Sequence, residues 1–268
     1  MFELLQKIRD VENKWTQSHT FKRYQNYYVP EKLVKNAKRV ISFGVGTDVR
    51  FEKLMCSDNN KLDVRLFDPT PITVRYQERI LYMSGLRQIK RLMLENISKV
   101  NDEISHNQLK FNPIGYSPKN GIQQFYFPTT YKHGHWSLAH KVDTSFTLFN
   151  NNKNFPVDED HKIDSVNVEC KNLQTIMEEL KWNEVDILKT DIEGLWWEFG
   201  QELLEKNIDF KYWVTEIEFN VGYSNDEILD KIEELCEKFK NKGYEIYTNR
   251  IRDNKRVCEL IFILPLFK

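Results

Sequence analysis

Asp68 stands 22 residues beyond Gly46, and that interval joins two motifs of complementary chemistry. The first, SFGVGTD from Ser42 to Asp48, sets Gly44 and Gly46 just after the apolar run Val40, Ile41 and Phe43. Glycine lets a strand turn tightly and leaves backbone bare where a side chain would collide with a bound molecule. The second motif, LFDP, closes the run Val64, Leu66 and Phe67 on Asp68 and Pro69. A carboxylate at this distance from a glycine loop meets the hydroxyls of a ribose, so the pair predicts an adenosine-containing ligand. Pro69 lacks a backbone donor and biases Asp68 away from helix, so the strand should leave as a turn. In such a turn Asp68 can also serve as a structural aspartate bonded to nearby backbone.

The other candidates are acids and histidines. In KTDIEG, Asp191 and Glu193 follow an apolar strand two residues apart, and on extended chain their carboxylates share a face. Adjacent acids raise each other's proton affinity, which suits a general base or a divalent-cation ligand. Either acid could instead cap the following helix. Glu216 and Glu218 alternate in the same way at the end of the next strand, with Glu216 the one expected to face the cleft. The run KHGHWSLAH from Lys132 to His140 carries three of the six histidines. His135 is a candidate base there, since an imidazole titrates near pH ~6.5. A zinc site is not expected from His133 and His135 without a neighbouring cysteine or acid pair. Trp136, Tyr126 and Tyr131 offer flat faces for a sugar ring, whereas one of Trp196 and Trp197 should turn inward on its helix.

These residues need a frame to hold them. The chain has 268 residues, 40% hydrophobic and 13% aromatic, enough to bury about 70–75% of its unfolded surface without disulfides or metal. Cys56, Cys170, Cys236 and Cys258 lie far apart with no CxxC pair, which predicts buried free thiols in a reducing compartment. The opening MFELLQKIRDVENKW lacks the pattern of a signal peptide. No apolar stretch reaches the roughly 18 residues of a membrane helix, so a cytoplasmic protein is expected. With 39 basic and 40 acidic side chains the net charge is −1, which leaves no general field to gather nucleic acid. The basic and aromatic stretch from Lys14 to Tyr28 could stack on bases, but reads better as a helical cap with its aromatics packed inward.

Residues 1–36 are expected to form a helical or irregular lead-in, and 37–268 one α/β domain with an insertion at about 121–164. Apolar residues recur at helical intervals between Val74 and Val100, and Leu109, Phe111, Ile114 and Tyr116 form a strand interrupted by Pro113 and Gly115. Leu173, Ile176, Met177 and Leu180 predict a helix feeding the strand Val185 to Leu188. A helical stretch Leu195 to Lys206 leads to the strand Trp213 to Phe219. Ser224 and Glu227 form a capping box for the last helix, which Gly243 ends. Tyr244 to Ile251 and Val257 to Leu264 complete an antiparallel hairpin. Strands alternating with helices imply a mostly parallel sheet covered on both faces, with ligands at the carboxyl ends of its strands.

Taken together, SFGVGTD, LFDPTP, FNPIGYS and DILKTDIEG resemble the motifs of the FkbM-type methyltransferases, class I enzymes dependent on S-adenosylmethionine. The resemblance runs from roughly Val40 to Phe219. It implies a Rossmann-like, seven-stranded, mostly parallel sheet and methyl transfer, commonly to a hydroxyl of a sugar or polyketide. It implies a cofactor held by Gly44, Gly46, Thr47, Asp48, Asp68 and Pro69, with Asn112, Ile114 and Gly115 beside the adenine. Asp191 would lie near the methionine end or the acceptor. Two places depart from the common class I pattern, because Ser42 stands where an acid is usual and Asp48 where a third glycine is.

A dehydrogenase is the nearest rival, but its GxGxxG needs glycine where Val49 stands. S-adenosylmethionine carries no phosphate and two cationic centres, so a loop bearing Asp48 suits it better than a pyrophosphate. Asp48 could at the same time cap the next helix. A sugar hydroxyl is a poor nucleophile at neutral pH, so Asp191, Glu216 or His135 is expected to deprotonate it, with a divalent metal as an alternative aid. The expected partner is therefore a small molecule or glycan, with neither nucleic acid nor membrane. The remaining alternatives are a noncatalytic nucleoside-binding module and a nucleic-acid methyltransferase.

Overall fold

Runs such as Val40–Phe43 and Val185–Leu188 are three-quarters apolar and buried at every position, so both faces of their strands must be covered. In the computed structural model, which describes residues 9–10, 21–46, 48–70, 73–74, 108–130, 161–219, 221–251 and 257–265, they lie at the centre of the sheet. The chain order is β1 (Arg9–Asp10), β2 (Phe21–Tyr24), β3 (Tyr27–Pro30), α1 (Glu31–Asn36), β4 (Arg39–Phe43), α2 (Arg50–Asp58) and β5 (Asp63–Phe67). It continues with β6 (Leu109–Asn112), β7 (Gly115–Tyr116), β8 (Gly121–Thr130), β9 (His161–Lys171), α3 (Leu173–Leu180) and β10 (Glu184–Thr190). Last come α4 (Trp196–Glu205), β11 (Asp209–Glu218), α5 (Asn225–Asn241), β12 (Glu245–Ile251) and β13 (Val257–Ile263).

The main sheet runs β1-β12-β13-β11-β10-β4-β5-β6. From β6 through β11 neighbouring strands are parallel, and β13 enters antiparallel between β11 and β12. After β4 the chain builds outward to β5 and β6, then returns to the other side of β4 to build β10 and β11. The strand order therefore reverses between β4 and β10, where the loops that follow them part and leave a crevice. Both the glycine loop and KTDIEG leave the sheet there.

One face is covered by α4 and α5, whose Trp196, Phe199, Ile228, Ile232 and Phe239 pack on Trp213 and Phe262. Helix α5 begins with the expected capping box, Glu227 accepting the Ser224 amide at 2.8 Å, and Gly243 follows its end at φ +89°. The other face is covered by Tyr24, Tyr27, Leu33, Phe51 and Met55, packed on Val40, Val64, Ile187, Tyr212 and Val214. Asp186 pins the amino ends of the central strands, accepting from the Lys38 and Arg39 amides at 2.7 and 3.0 Å and from Lys211. All four cysteines are buried free thiols. Among the described residues no helix is long and apolar enough to cross a membrane.

Four sequence expectations are corrected. Residues 21–30, expected helical or irregular, form the antiparallel hairpin β2–β3. Its aromatics do face inward, but the turn places Gln25 at φ +56° with no glycine to announce it. The expected strand from Leu109 to Tyr116 is split between sheets: β6 ends the main sheet, and β7 pairs with β9 in a separate sheet. Finally, the sheet has eight strands, because two-residue β1 adds itself beside β12. In place of short β-like pieces, the borders of the 121–164 insertion are one long antiparallel ladder, β8 on β9, from Gly121↔Cys170 to Thr130↔His161. The expected helix beyond Val74 lies outside the described residues.

Candidate functional site

A cleft of about 290 Å³ opens at the strand-order reversal, lined by the loops after β4, β5 and β10 and by the start of the β7–β8 arm. Phe43, Phe67, Tyr116, Phe125 and Leu195 supply its apolar wall, and Asp48, Asp68, Asp191 and Glu193 its acids.

The glycine loop is shaped by its neighbours. Gly44 donates to the Phe67 carbonyl at 2.9 Å and Asp191 donates to the Phe43 carbonyl at 3.2 Å, which draws the two loops together. At φ +65°, a Cβ on Gly44 would land 1.6 Å from the Asp191 carbonyl oxygen, so only glycine fits. Gly46, at φ +54°, has open space where a Cβ would stand. Its amide donates to Asp68 Oδ2 at 2.9 Å, tying the loop to the end of β5.

Asp68 is 4% exposed and accepts two further bonds at Oδ1, from the Thr70 amide at 2.9 Å and the Thr70 hydroxyl at 2.6 Å. The Thr70 and Thr73 hydroxyls share a bond of 2.8 Å. Burial raises the pKa of Asp68 and Asp191 adds to the rise, while the Thr70 and Gly46 bonds oppose it. The turn role and a place on the cleft wall are thus both present. Asp48 does not occupy the cap position of α2, which is Val49. Its carboxylate binds the Arg50 guanidinium and accepts from Gln25 at 2.6 Å. Burial pushes its pKa up, and the Arg50 bonds outweigh that and hold it below the usual range.

Gly115 lies where the arm crosses the end of β5. A Cβ there would meet Cys170 Sγ at 2.8 Å, Pro69 Cγ at 2.9 Å and Phe125 Cζ at 3.2 Å. Gly115 and Pro69 both line the cleft. Asn112 and Ile114 do not belong to that lining: Asn112 donates to the Leu66 and Lys110 carbonyls, and Ile114 packs on the core.

The acids at the strand ends separate into two groups. Asp191 and Glu193 line the cleft, and Glu218 joins them from β11. Gly194 donates to Glu218 Oε2 at 2.8 Å, which draws the KTDIEG turn down onto Glu218. Glu216, the acid expected to face the cleft, is not part of its lining and stands in register with Glu259 of β13. Strand alternation keeps Glu216 and Glu218 on one face, but the turn reaches only the last of them. Burial raises the Glu218 pKa well above the ordinary value, and the charges of Glu193, Asp191 and Glu216 raise it further. Burial also raises the pKa of the Tyr27 phenol beneath, followed by the charges of Glu259, Asp191, Glu216 and Glu52.

Thr47, His135, Trp136 and Tyr131 lie outside the described residues. Tyr126 stands on β8 and donates to Gln124 at 3.1 Å. Trp196 is buried in the core, and Trp197 takes the Lys231 ammonium 4.2 Å from its ring centre. Sequence reasoning missed Tyr116, Phe125 and Thr70 as cleft residues. Phe125 falls in the segment read only as an insertion, and the docked arm brings it to the cleft.

The arrangement can take a ligand against bare backbone at Gly44 to Gly46, with carboxylates on either side to receive cationic or hydroxyl groups. The family model described as Methyltransferase FkbM domain matches residues 27–246. Solved structures similar to the chain include a "delta-N METTL16 MTase domain" at 8% identity, covering 85% of this chain and 73% of that one, with a TM-score of 0.39. The fibrillarin pre-rRNA processing protein of Methanococcus jannaschii is 10% identical, with 86% and 68% covered and a TM-score of 0.41. M. capricolum TrmK in complex with S-adenosyl-homocysteine is 9% identical, with 88% and 66% covered and a TM-score of 0.37. No curated protein matches the sequence.

Proposed function

The chain belongs to the methyltransferase FkbM domain family, enzymes dependent on S-adenosylmethionine, and from that premise we propose that it methylates a hydroxyl oxygen of a sugar, glycan or glycosylated metabolite. The observation that carries this reading is the convergence of the bare Gly44–Gly46 backbone, Asp68 and the Asp191–Glu193 pair on one cleft. When bound, S-adenosylmethionine supplies a methyl group on a positively charged sulfur.

In this reading the loop carrying Gly44 and Gly46 lets the cofactor lie against main chain. Asp68 already accepts three bonds, and a carboxylate has about four acceptor sites. One remains for a ribose hydroxyl. The acids of the cleft suit cationic groups and would repel a phosphate. Asp191 and Glu193 line the same cleft as Asp68, and there they would orient the acceptor hydroxyl and take its proton as the oxygen attacks. The wall of Phe67, Tyr116 and Phe125 excludes water and gives an adenine or sugar a flat apolar surface. A cytoplasmic setting belongs to the same reading, supported by four buried free thiols.

Calorimetry with S-adenosylhomocysteine, followed by labelled methyl transfer to a panel of sugars, tests it. One product molecule bound per chain and label passed to a sugar are expected. Binding without transfer to any hydroxyl would leave a nucleoside-binding module. Absence of heat on folded protein would remove the enzymatic reading.

A further inference from the structure

The KTDIEG turn does more than border the cleft. One carboxylate oxygen from each of Asp191, Glu193 and Glu218 lies within 4.8 Å of the other two. Three acids that close repel one another unless a proton or a cation lies among them. A second observation concerns Glu218 alone. It is 4% exposed, and while Oε2 accepts the Gly194 amide, Oε1 has no hydrogen-bond partner. Buried carboxylate oxygens are otherwise hydrogen-bonded or coordinate metals. The open oxygen belongs to the side chain that closes the cluster from β11, behind the two acids that face the cleft.

We propose that Asp191, Glu193 and Glu218 hold a hard divalent cation, of the magnesium, manganese or calcium class, at the wall of the cleft. The donors are all oxygen, the set that selects these ions over zinc or copper. Bonds of about 2.1 to 2.6 Å place two ligands on opposite sides of such an ion roughly 4.2 to 5.2 Å apart. The three oxygens lie within 4.8 Å of one another, inside the widest span such an ion can bridge. One oxygen from each acid suffices for such a site.

Asp191 and Glu193 line the cleft, so the ion's remaining coordination positions open toward the acceptor. Its use there rests on the methyl-transfer reading: the cation orients an acceptor hydroxyl by its oxygen and favours the ionised form. Vicinal hydroxyls of a sugar would bind it better than a single alcohol, which narrows the acceptor to polyols.

Manganese titration of the full chain, followed by electron paramagnetic resonance without cofactor, tests the site. One manganese per chain is expected, with affinity at least tenfold weaker in Glu218→Gln and in Glu193→Gln. The melting temperature of the wild type should rise with manganese and that of Glu218→Gln should not. A glutamine at 218 can still accept the Gly194 amide. Should that variant fail to fold, Glu193→Gln, at a partly exposed position, carries the comparison. No manganese bound at millimolar concentration, or equal binding in both variants, overturns the site. S-adenosylhomocysteine binding measured on the same samples separates the two ideas. Product binding without manganese sinks the cation alone, and manganese without product binding sinks the methyl-transfer reading and leaves the ion site standing.

Discussion

Asp68 and Glu218 close two strands of one sheet, each is 4% exposed, and burial raises the pKa of both. Their surroundings differ. Asp68 accepts three bonds, two of them from backbone amides, and faces one added negative charge, Asp191. Glu218 accepts one amide, leaves Oε1 without a partner, and faces Glu193, Asp191 and Glu216. A buried carboxylate whose acceptors are filled by main chain holds the shape of a loop. One left open among other acids holds a place for positive charge.

The sharpest break of this comparison is Gly44→Ala, because Gly44 packs where the two regions touch. A Cβ 1.6 Å from the Asp191 carbonyl, at φ +65°, forces the loops apart. A loss above about 3 kcal/mol is expected, in the range of severe backbone and packing defects. Denaturant unfolding measures it, and a wild-type midpoint would show that the loops are not coupled.

Asp68→Ala comes next. It leaves the Gly46 and Thr70 amides without their acceptor, and a loss of about 1–3 kcal/mol is expected in stability and in affinity for S-adenosylhomocysteine. Calorimetry and thermal melting read both, and unchanged affinity would take Asp68 out of the cofactor site. Gly46→Ala should cost about 1–2 kcal/mol, the left-handed penalty alone, since open space surrounds the added methyl. A loss equal to that of Gly44→Ala would mean that conformation, not contact, governs the loop.

Glu218→Gln should act in the opposite direction when no cation is added. The folded-state pKa of Glu218 is raised, so the native protein keeps a proton that the unfolded chain releases near 4.5. Its contribution is fully present below that value and is lost as pH rises toward the folded value. The variant should melt about 2–4 °C higher near pH 7 and show a flatter stability profile above pH ~5. Added manganese should reverse the order by stabilising only the wild type. The smallest effect belongs to Arg50→Gln: the Arg50–Asp48 pair is 60% and 40% exposed, so a change under about 0.5 kcal/mol is expected.

Much of this frame is legible in the chain. Val40 to Phe43, Val64 to Phe67 and Val185 to Leu188 announce their strands because short, predominantly apolar, β-branched-rich runs mark central strands. Ser224, Glu227 and Gly243 announce both ends of α5, since caps act within a few residues. Tyr27 to Pro30 did not announce a strand, because the turn at Gln25 carries no glycine signal. Nor did Pro113 reveal that β6 and β7 part into different sheets, which depends on β9 arriving from more than fifty residues away. Among site residues, Gly44, Gly46 and Asp68 could be found from spacing. Glu218 could be paired with Glu216 but not preferred to it, because the Gly194 amide that chooses between them comes from another loop.

By itself the sequence determined the central strands and the helices that alternate with them, where the chain must turn without side chains, and which acids end which strands. Those features depend on local backbone preference and on the period of apolar residues. Only the tertiary structure decided that the end of β10 meets the end of β11, that Phe125 closes the cleft, and that Oε1 of the buried Glu218 lacks a hydrogen-bond partner. Such facts depend on distances between segments far apart along the chain, and local periodicity carries no information about those distances.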